Sequence, residues 1–475
     1  MAVLTMGATV LVWRAFAWPL TTLDESVLLV YAEQVRAGLL PHRDFFTVYG
    51  PAPFYLLAWL FTAFGSSLGV ERALGLMLHV AIVIGCYGIG RARYRATGLM
   101  AGGASLILLV PLGAVPYAWL GAMACVAVAL ALAGRESASA TLWSGVAAGL
   151  VPAFRPELLL VMVPVMGVSV WRSPYWRRMV AGFVVGLTPL LAFFVAAGPR
   201  MWWNIGPGRA AVNGALNPFD APEQSLTVIA CVLGVTGTLV WFAFKRRTSV
   251  SVSHALLALG ILPQTLQRVD SDHAFYTLCV TIPLVIAGST VAKPAQNSIR
   301  RRNALVLAIA LALVPILAAP IFCALPPTAT VHFGDRSAMV AASEVPNLMA
   351  TRTELLAHAP PGGSVFVGST DMSKVSLSQV KLYYLTPELL PKAYFLELAV
   401  GVSEQAGSGL VNDIRNADVL LLTPRNDGVM RHLYPYLAPG SDEANSVVRE
   451  HFCRVAETGW GVVYVRRPCG TPVGR

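Results

Sequence analysis

Apolar runs of membrane-spanning length recur along residues 1–325, and basic residues gather in every second gap between them. In hydrocarbon every backbone N–H and C=O must be satisfied within the protein, so such runs have to become helices. A helix needs about 20 apolar residues to cross the roughly 30 Å core. Eleven segments qualify or come close: 2–20, 68–90, 97–112, 117–134, 141–154, 157–171, 179–197, 225–244, 251–266, 274–291 and 303–325. Segments 141–154 and 157–171 are short and are split by Arg155-Pro156-Glu157. They read either as a re-entrant pair or as two tilted helices. Arg91/Arg93/Arg95, Arg135, Arg172/Arg177/Arg178, Lys245/Arg246/Arg247 and Lys293/Arg300/Arg301/Arg302 fall in alternate loops, which the positive-inside rule makes cytoplasmic. Loops 21–67, 113–116, 155–156, 198–224 and 267–273, and everything after 325, then face the other side. The expectation is a polytopic α-helical membrane protein with about 11 transmembrane helices over 1–325 and an extracytoplasmic domain over 326–475.

Composition narrows the class further. Hydrophobic residues make up 56% of the 475 and charged residues 13%, where a soluble domain has about half and a quarter. Residues 326–475 hold 13 of the 35 Lys+Arg and 14 of the 25 Asp+Glu, so the net +10 lies in the apolar part. There it is topology charge and not a nucleic-acid surface. Only 5 of the 35 basic residues are Lys, a bias that fits a high-G+C bacterial genome and hence a bacterial inner membrane. Residues 1–20 lack a basic n-region and a small-residue cleavage site, so they read as a retained span. No Walker loop, Gly-x-Gly-x-x-Gly or His-Glu-x-x-His occurs, which leaves nucleotide-driven and zincin chemistry without support.

Loop 21–67 is richer than a linker. It opens on Asp24-Glu25, two carboxylates at the mouth of a span. Residues 26–37 carry apolar side chains at helical spacing, with Glu33, Gln34 and Arg36 opposite, as in an interfacial amphipathic helix. Gly38 and Pro41 end it. His42-Arg43-Asp44 follows, either a capped turn or a phosphate and sugar contact. The aromatic run 52–64 is too short to span comfortably and reads as a second interfacial helix. Asp24-Glu25 supports two readings. One is a general base whose neighbour positions an acceptor or a cation. The other is a solvated pair stabilised by the dipole of helix 26–37.

Three further polar constellations sit in apolar surroundings, where ionisable groups mark function by default. In Gln264-x-x-Gln267-Arg268-x-Asp270-x-Asp272-His273, five strongly polar groups crowd into the short loop 267–273, and Gln264 ends the span before it. Its Arg suits bidentate phosphate contact and its His adds a donor; a plain polar turn with an internal Arg–Asp pair is the alternative. Arg155-Pro156-Glu157 is either a lipid-phosphate site or a local ion pair. Loop 198–224 offers Arg200, Trp202, Trp203, Asn204 and Arg209, in which the Trp pair anchors at the interface and the Arg residues attract an anionic head group.

In the tail, 365–368, 418–422 and 461–465 read as buried strands around a helical 405–417, a small α/β domain. Cys453 and Cys469 flank the last strand and can form a disulfide on an oxidising side.

The order Asp24-Glu25, amphipathic helix, Gly38-x-x-Pro41-x-Arg43-Asp44-Phe45-Phe46, then Pro51 and Pro53, resembles the first extracytoplasmic loop of the GT-C superfamily of integral membrane glycosyltransferases. It is most similar to the polyprenyl-phosphate-sugar-dependent branch that includes protein mannosyltransferases and the lipid A aminoarabinose transferase. The resemblance implies an inverting sugar transfer from a polyprenyl-phosphate-linked donor to a cell-envelope glycan, lipid or protein. It implies Asp24 as base, with Glu25 beside it positioning the acceptor or a divalent cation; no other cofactor follows. Arg43, Asp44, Arg155, Glu157, Arg268, Asp270 and His273 are the candidates around the donor phosphate, and membrane lipids are the remaining partners. The competing class is a non-catalytic membrane protein that binds or transports lipid-linked sugars in envelope assembly.

Overall fold

The computed structural model describes residues 16–21, 24–92, 94–135, 137–171, 173–214, 222–267, 269–289, 325–374, 378–424 and 438–468. Spans 2–20 and 303–325 fall largely outside these residues, as do Arg268 and Cys469. The remaining nine predicted spans are helices: α3 (Leu68–Arg91), α4 (Arg95–Leu109), α5 (Ala118–Ala133), α6 (Ala138–Phe154), α7 (Leu159–Val170), α8 (Trp176–Ala197), α11 (Pro222–Arg246), α12 (Ser249–Gln267) and α13 (Ser271–Ser289). Among the described residues six helices are long and apolar enough to cross a membrane, and the chain is that of a multi-pass membrane protein.

Caps set the starts of these helices. Ser67 accepts from the Val70 amide at 3.2 Å to open α3, and Ser137 does the same for Ala140 to open α6. Close packing sets their contacts. Gly145 and Gly149 of α6 face Gly182 and Gly186 of α8. A Cβ at any of the four would come within 2.2 Å of a carbonyl oxygen on the other helix. Two small-xxx-small stripes therefore let the backbones touch, which in lipid is where packing energy comes from. Helix α13 runs through the middle and is buried on nearly every face.

The bundle has two distinct ends. Leu130, Ser169, Arg246, His254 and Ala287 line one cavity; Trp119, Arg155, Gln264 and His273 line another. Helices α5, α12 and α13 contribute to both, so these cavities lie at opposite ends. Helix α7 begins beside Arg155 at one end, and Ser169 near its close lines the cavity at the other, so it crosses the bundle. Helix α6 starts a few residues beyond Gly134, which lines the same cavity as Ser169, and ends at Phe154 beside Arg155. The re-entrant alternative is thereby excluded.

Helices α1 (Asp24–Arg36) and α2 (Ala52–Phe64) form where the sequence places them. Helix α2 buries Phe54, Leu57 and Phe61 and exposes Trp59 and Phe64, as an interfacial helix does. Helix α1 differs from expectation. Val27 to Ala32 are all buried, with Glu25 and Gln34, because the tail covers it. Between α8 and α11 lie α9 (Pro199–Trp203), a π turn at Asn204–Gly208 and α10 (Arg209–Gly214).

The tail begins with a hairpin, β2 (Thr328–Phe333) and β3 (Arg336–Ala341), and β3 pairs in parallel with the two-residue strand β1 (Ser66–Ser67) at the foot of α3. Arg36 also bridges to Asp335 at 2.7 Å. Helix α14 (Val345–His358) precedes a four-stranded sheet of order β4-β5-β7-β6: β4 (Val365–Ser369), β5 (Val419–Thr423), β6 (Phe452–Thr458) and β7 (Gly461–Arg466). Strands β4 and β5 are parallel and the other pairs antiparallel. Helices α15 (Lys381–Leu385), α16 (Leu410–Arg415) and α17 (Glu443–His451) complete it. The helical 405–417 shrinks to α16 because Gly407 and Gly409 have φ of 71° and 101°. Cys453 is disulfide-bonded; Cys469, the expected partner, lies outside the described residues. One core unites Val27, Phe45, Phe54 and Leu57 with Phe366, Tyr383, Leu420 and Val463 of the tail.

Candidate active site

Asp24 is the first residue of α1 and is solvent-exposed. It opens into a cavity of about 80 Å³ together with Tyr49, Tyr117, Trp119, Arg155, Gln264, His273 and Tyr276. Five separate stretches of chain thus meet at one point. Three of them carried the polar constellations seen in the sequence. The meeting has a local cause at each side. Gly50 follows Tyr49, and its amide donates to Phe154 O at 3.0 Å. A Cβ on Gly50 would lie 2.2 Å from Ala153 O, so only glycine lets loop 41–50 rest on the end of α6.

Arg155 is held from several sides. Its Nε donates to Glu157 at 2.6 Å and its Nη2 to Gln264 at 2.7 Å. Its guanidinium lies 4.8 Å from the Trp119 ring centroid and 5.7 Å from that of Tyr49. Arg209 reaches the same Glu157 at 3.0 Å and donates to Val48 O. Two guanidiniums therefore share one carboxylate and leave a net positive charge beside the cavity. Burial, with Arg155 adding its repulsion, pushes Arg209 down to about 10. Opposite stands His273, whose Nδ1 pairs with Asp270 Oδ1 at 2.8 Å; the same oxygen accepts the His273 backbone N–H. Asp270 thus caps α13 and fixes the ring, as carboxylate partners of functional histidines do. Trp119 Nε1 donates to Tyr276 O at 2.9 Å and ties α5 to α13 under the cavity.

Not every predicted residue arrives here. Glu25 is buried and turns away from Asp24. Its carboxylate accepts from Arg72 Nε at 2.8 Å and from the Thr21 amide at 3.0 Å, with Glu71 beside it. Adjacent residues on a helix point about 100° apart, so sequence neighbours need not share a site. Glu25 is a structural counter-ion of Arg72 in this fold. Among the described residues no cluster of three or more His, Cys, Asp or Glu side chains is arranged to hold a metal, so the expected divalent cation finds no ligand set there. Arg43 and Asp44 also stand apart from the cavity. They pair with each other at 2.7 Å, Asp44 accepts the Leu40 amide, and Arg200 donates to Arg43 O. This is the capped-turn alternative. The Arg43 hydrogen bond holds the Asp44 carboxyl below its ordinary range.

The tail adds a group that the sequence did not mark as a site. Glu397 follows Tyr394-Phe395-Leu396, a segment pinned by the Phe46 amide to Tyr394 O at 2.7 Å and by the Tyr394 and Phe395 amides to Asp413. Burial, and then the Asp24 charge, push the Glu397 carboxyl up to about 8. Its own charge acts on the Tyr49 and Tyr31 hydroxyls, which are raised mainly by burial. Among the described residues no cation pairs with it. The available signal was a lone carboxylate in the apolar run Tyr394–Val400.

No family model matches the chain, and no curated protein matches it. Solved structures do. ArnT from Cupriavidus metallidurans bound to undecaprenyl phosphate superposes with a TM-score of 0.57 at 12% identity, over 98% of either chain. The archaeal oligosaccharyltransferase AglB from Archaeoglobus fulgidus, in complex with an inhibitory peptide and a dolichol-phosphate, gives 0.53 at 11% identity, over 100% of this chain and 75% of that one. The same archaeal enzyme in complex with Zn and sulfate gives 0.51 at 12% identity, over 98% and 73%. Both are GT-C proteins, and at these identities they establish that this chain has the GT-C fold.

Proposed function

We propose that the chain is an inverting glycosyltransferase that moves a sugar from a polyprenyl-phosphate-linked donor to a cell-envelope acceptor on the extracytoplasmic face of a bacterial inner membrane. The observation that carries this reading is the convergence of Asp24, Arg155, Gln264 and His273 on one cavity at the end of the bundle opposite the basic loops. The undecaprenyl phosphate and dolichol-phosphate held by the structural neighbours support the donor class.

The chemistry follows from the residues. Asp24 takes the proton of an acceptor hydroxyl as its oxygen attacks C1 of the donor sugar. The C1–O bond to phosphate breaks on the far side, the electron pair stays on the phosphate oxygen, and the configuration at C1 inverts. Arg155, supported by Gln264 and Arg209, and His273 stabilise the charge that develops on that oxygen. Arg268 belongs to this group by its place in the loop, and Glu157 and Asp270 hold the cations in position. The 80 Å³ space suits the reacting ends only, so the polyprenyl tail lies along the helices and the acceptor enters from the tail side.

The test uses membranes containing the full chain, given a panel of undecaprenyl-phosphate-linked hexoses and pentoses with a crude envelope fraction as acceptor. Released undecaprenyl phosphate is the readout. The wild type should release it, and Asp24→Asn should be about 10²–10⁴ slower, as expected for loss of a general base. Asp24→Asn should still bind undecaprenyl phosphate. Release at the wild-type rate would remove Asp24 from the role.

A further inference from the structure

Two cavities of about 690 and 550 Å³ lie side by side in the tail and share Gln405, Ser408 and Asn412 as a common wall. Each falls in the size range of ligand sites, about 300–1,000 Å³. The 550 Å³ part runs down to the membrane domain, where Trp203 and Tyr394 form its floor. Trp203 is 46% exposed. Tyr394 is held in place: the Asn204 amide donates to its hydroxyl at 3.0 Å, and the Arg200 guanidinium lies 5.5 Å from its ring centroid. Gln405 and Asn412 are exposed and, among the described residues, their side-chain amides make no hydrogen bond. The groove thus offers an indole face, a fixed phenol ring and two uncommitted amides, each amide having two donors and an acceptor.

We propose that this groove is a glycan-binding site, and, resting on the glycosyltransferase reading above, that it holds the acceptor. A sugar ring presents an apolar C–H face that packs on an aromatic ring, and hydroxyls that pair with amides. The wall segment explains the placement. Tyr394 and Phe395 face the groove while Glu397, two residues beyond Phe395, interacts with Asp24. Three residues of extended chain span at most about 10 Å, so the groove wall reaches to within about 10 Å of the carboxyl that interacts with Asp24. The charge selects among glycans. Four carboxylates, those of Glu404, Asp413, Glu443 and Glu450, line the two parts against the guanidiniums of Arg200 and Arg415, while Asp442 is paired with Arg449. A neutral or amine-bearing glycan is favoured and a phosphorylated one repelled. A peptide is disfavoured because none of the strands β1–β7 lines the groove, so there is no sheet edge for it to extend.

The full chain in lipid nanodiscs, applied to an array of neutral, amino-bearing, uronate-bearing and phosphorylated oligosaccharides alongside unglycosylated peptides, tests this. Wild type and Asp24→Asn should bind the same neutral or amino-bearing glycans. Trp203→Ala should weaken them at least about 10-fold, and so should Asn412→Ala, an exposed change that spares folding. Three results would overturn the proposal: no glycan retained above the Trp203→Ala background, preference for phosphorylated glycans or peptides, or full binding by both variants. Because Asp24→Asn retains binding, failure of the groove and failure of the Asp24 reading are told apart.

Discussion

Glu397→Gln should flatten a pH dependence of stability, and the sign is fixed by the site. An unfolded Glu carboxyl titrates at about 4.3; in the folded chain burial and Asp24 push Glu397 up to about 8. Between these values the folded state keeps a proton that the unfolded state releases, so stability falls as pH rises through the window. The contribution is fully present below about 4.3 and is lost by about 8. Each pKa unit is worth about 1.4 kcal/mol, which sets a ceiling of about 5 kcal/mol. The side chain keeps partial solvent access, and screening there brings the expectation down to about 2–3 kcal/mol. Thermal unfolding of the detergent-solubilised chain from pH 4.5 to 9.5 measures it. The glutamine variant should gain on the wild type steadily up to about pH 8 and hold a constant lead beyond. Asp24→Asn removes the neighbouring charge and should move the window to lower pH. A wild-type-to-variant difference that stays constant from pH 5 to 9 would refute the reasoning, as would a window untouched by Asp24→Asn.

Four other outcomes are expected. Arg155→Lys should weaken undecaprenyl phosphate binding about 10-fold, since an ammonium cannot bond Glu157, Gln264 and a phosphate as a planar fork does; calorimetry reads this. Arg72→Met strands the buried Glu25 carboxylate and should destabilise the chain by about 3–5 kcal/mol, with much of it recovered in Arg72→Met/Glu25→Gln; thermal melts of both variants decide. Gly186→Leu should separate α6 from α8, because even a Cβ would lie 2.2 Å from Val146 O, and should abolish the monodisperse peak in size-exclusion chromatography. Single cysteines introduced at Asp24 and Asp335 should label from outside intact cells and those at Arg91 and Arg300 should not; labelling at 300 would reverse the topology and the enzyme reading with it.

The helices were legible because hydrocarbon leaves the backbone no alternative, and the basic loops ordered their ends. What periodicity could not reveal was depth. The SVLLVYAEQVRA stretch reads as amphipathic, yet α1 is buried on both sides because the tail packs over it. The hairpin β2–β3 escaped notice for a related reason: it is held by β1, two serines some 270 residues away. The glycine stripes of α6 and α8 were visible as Gly-x-x-x-Gly and could have paired those helices in advance. Around the cavity, Asp24, Arg155 and His273 could be singled out because each is a costly polar group in apolar sequence. Glu25 was misplaced because adjacency in sequence is not a shared face on a helix. Glu397 was passed over because nothing local links a tail loop to a carboxylate nearly 400 residues earlier.

Charge bookkeeping through the proposed reaction explains why these particular groups face each other. A polyprenyl-phosphate sugar carries one negative charge on its phosphodiester; the released polyprenyl phosphate carries two. Asp24 starts with one and ends protonated with none. The total charge of the cavity is therefore unchanged across the step, and one unit moves from the Asp24 side to the phosphate side. In a partly buried site a net change in charge is opposed, whereas a transfer toward fixed cations is favoured. Arg155 and Arg209, with only Glu157 between them, supply one uncompensated positive charge at the receiving end. Glu397 at the other end is the complement: held neutral up to about pH 8, it adds no second negative charge beside Asp24. Once Glu397 ionises, the cavity carries one more negative charge, which opposes entry of the anionic donor. Turnover should accordingly fall above about pH 8 in the wild type, and that alkaline limb should disappear in Glu397→Gln; a limb that persists in the variant would assign it to another group.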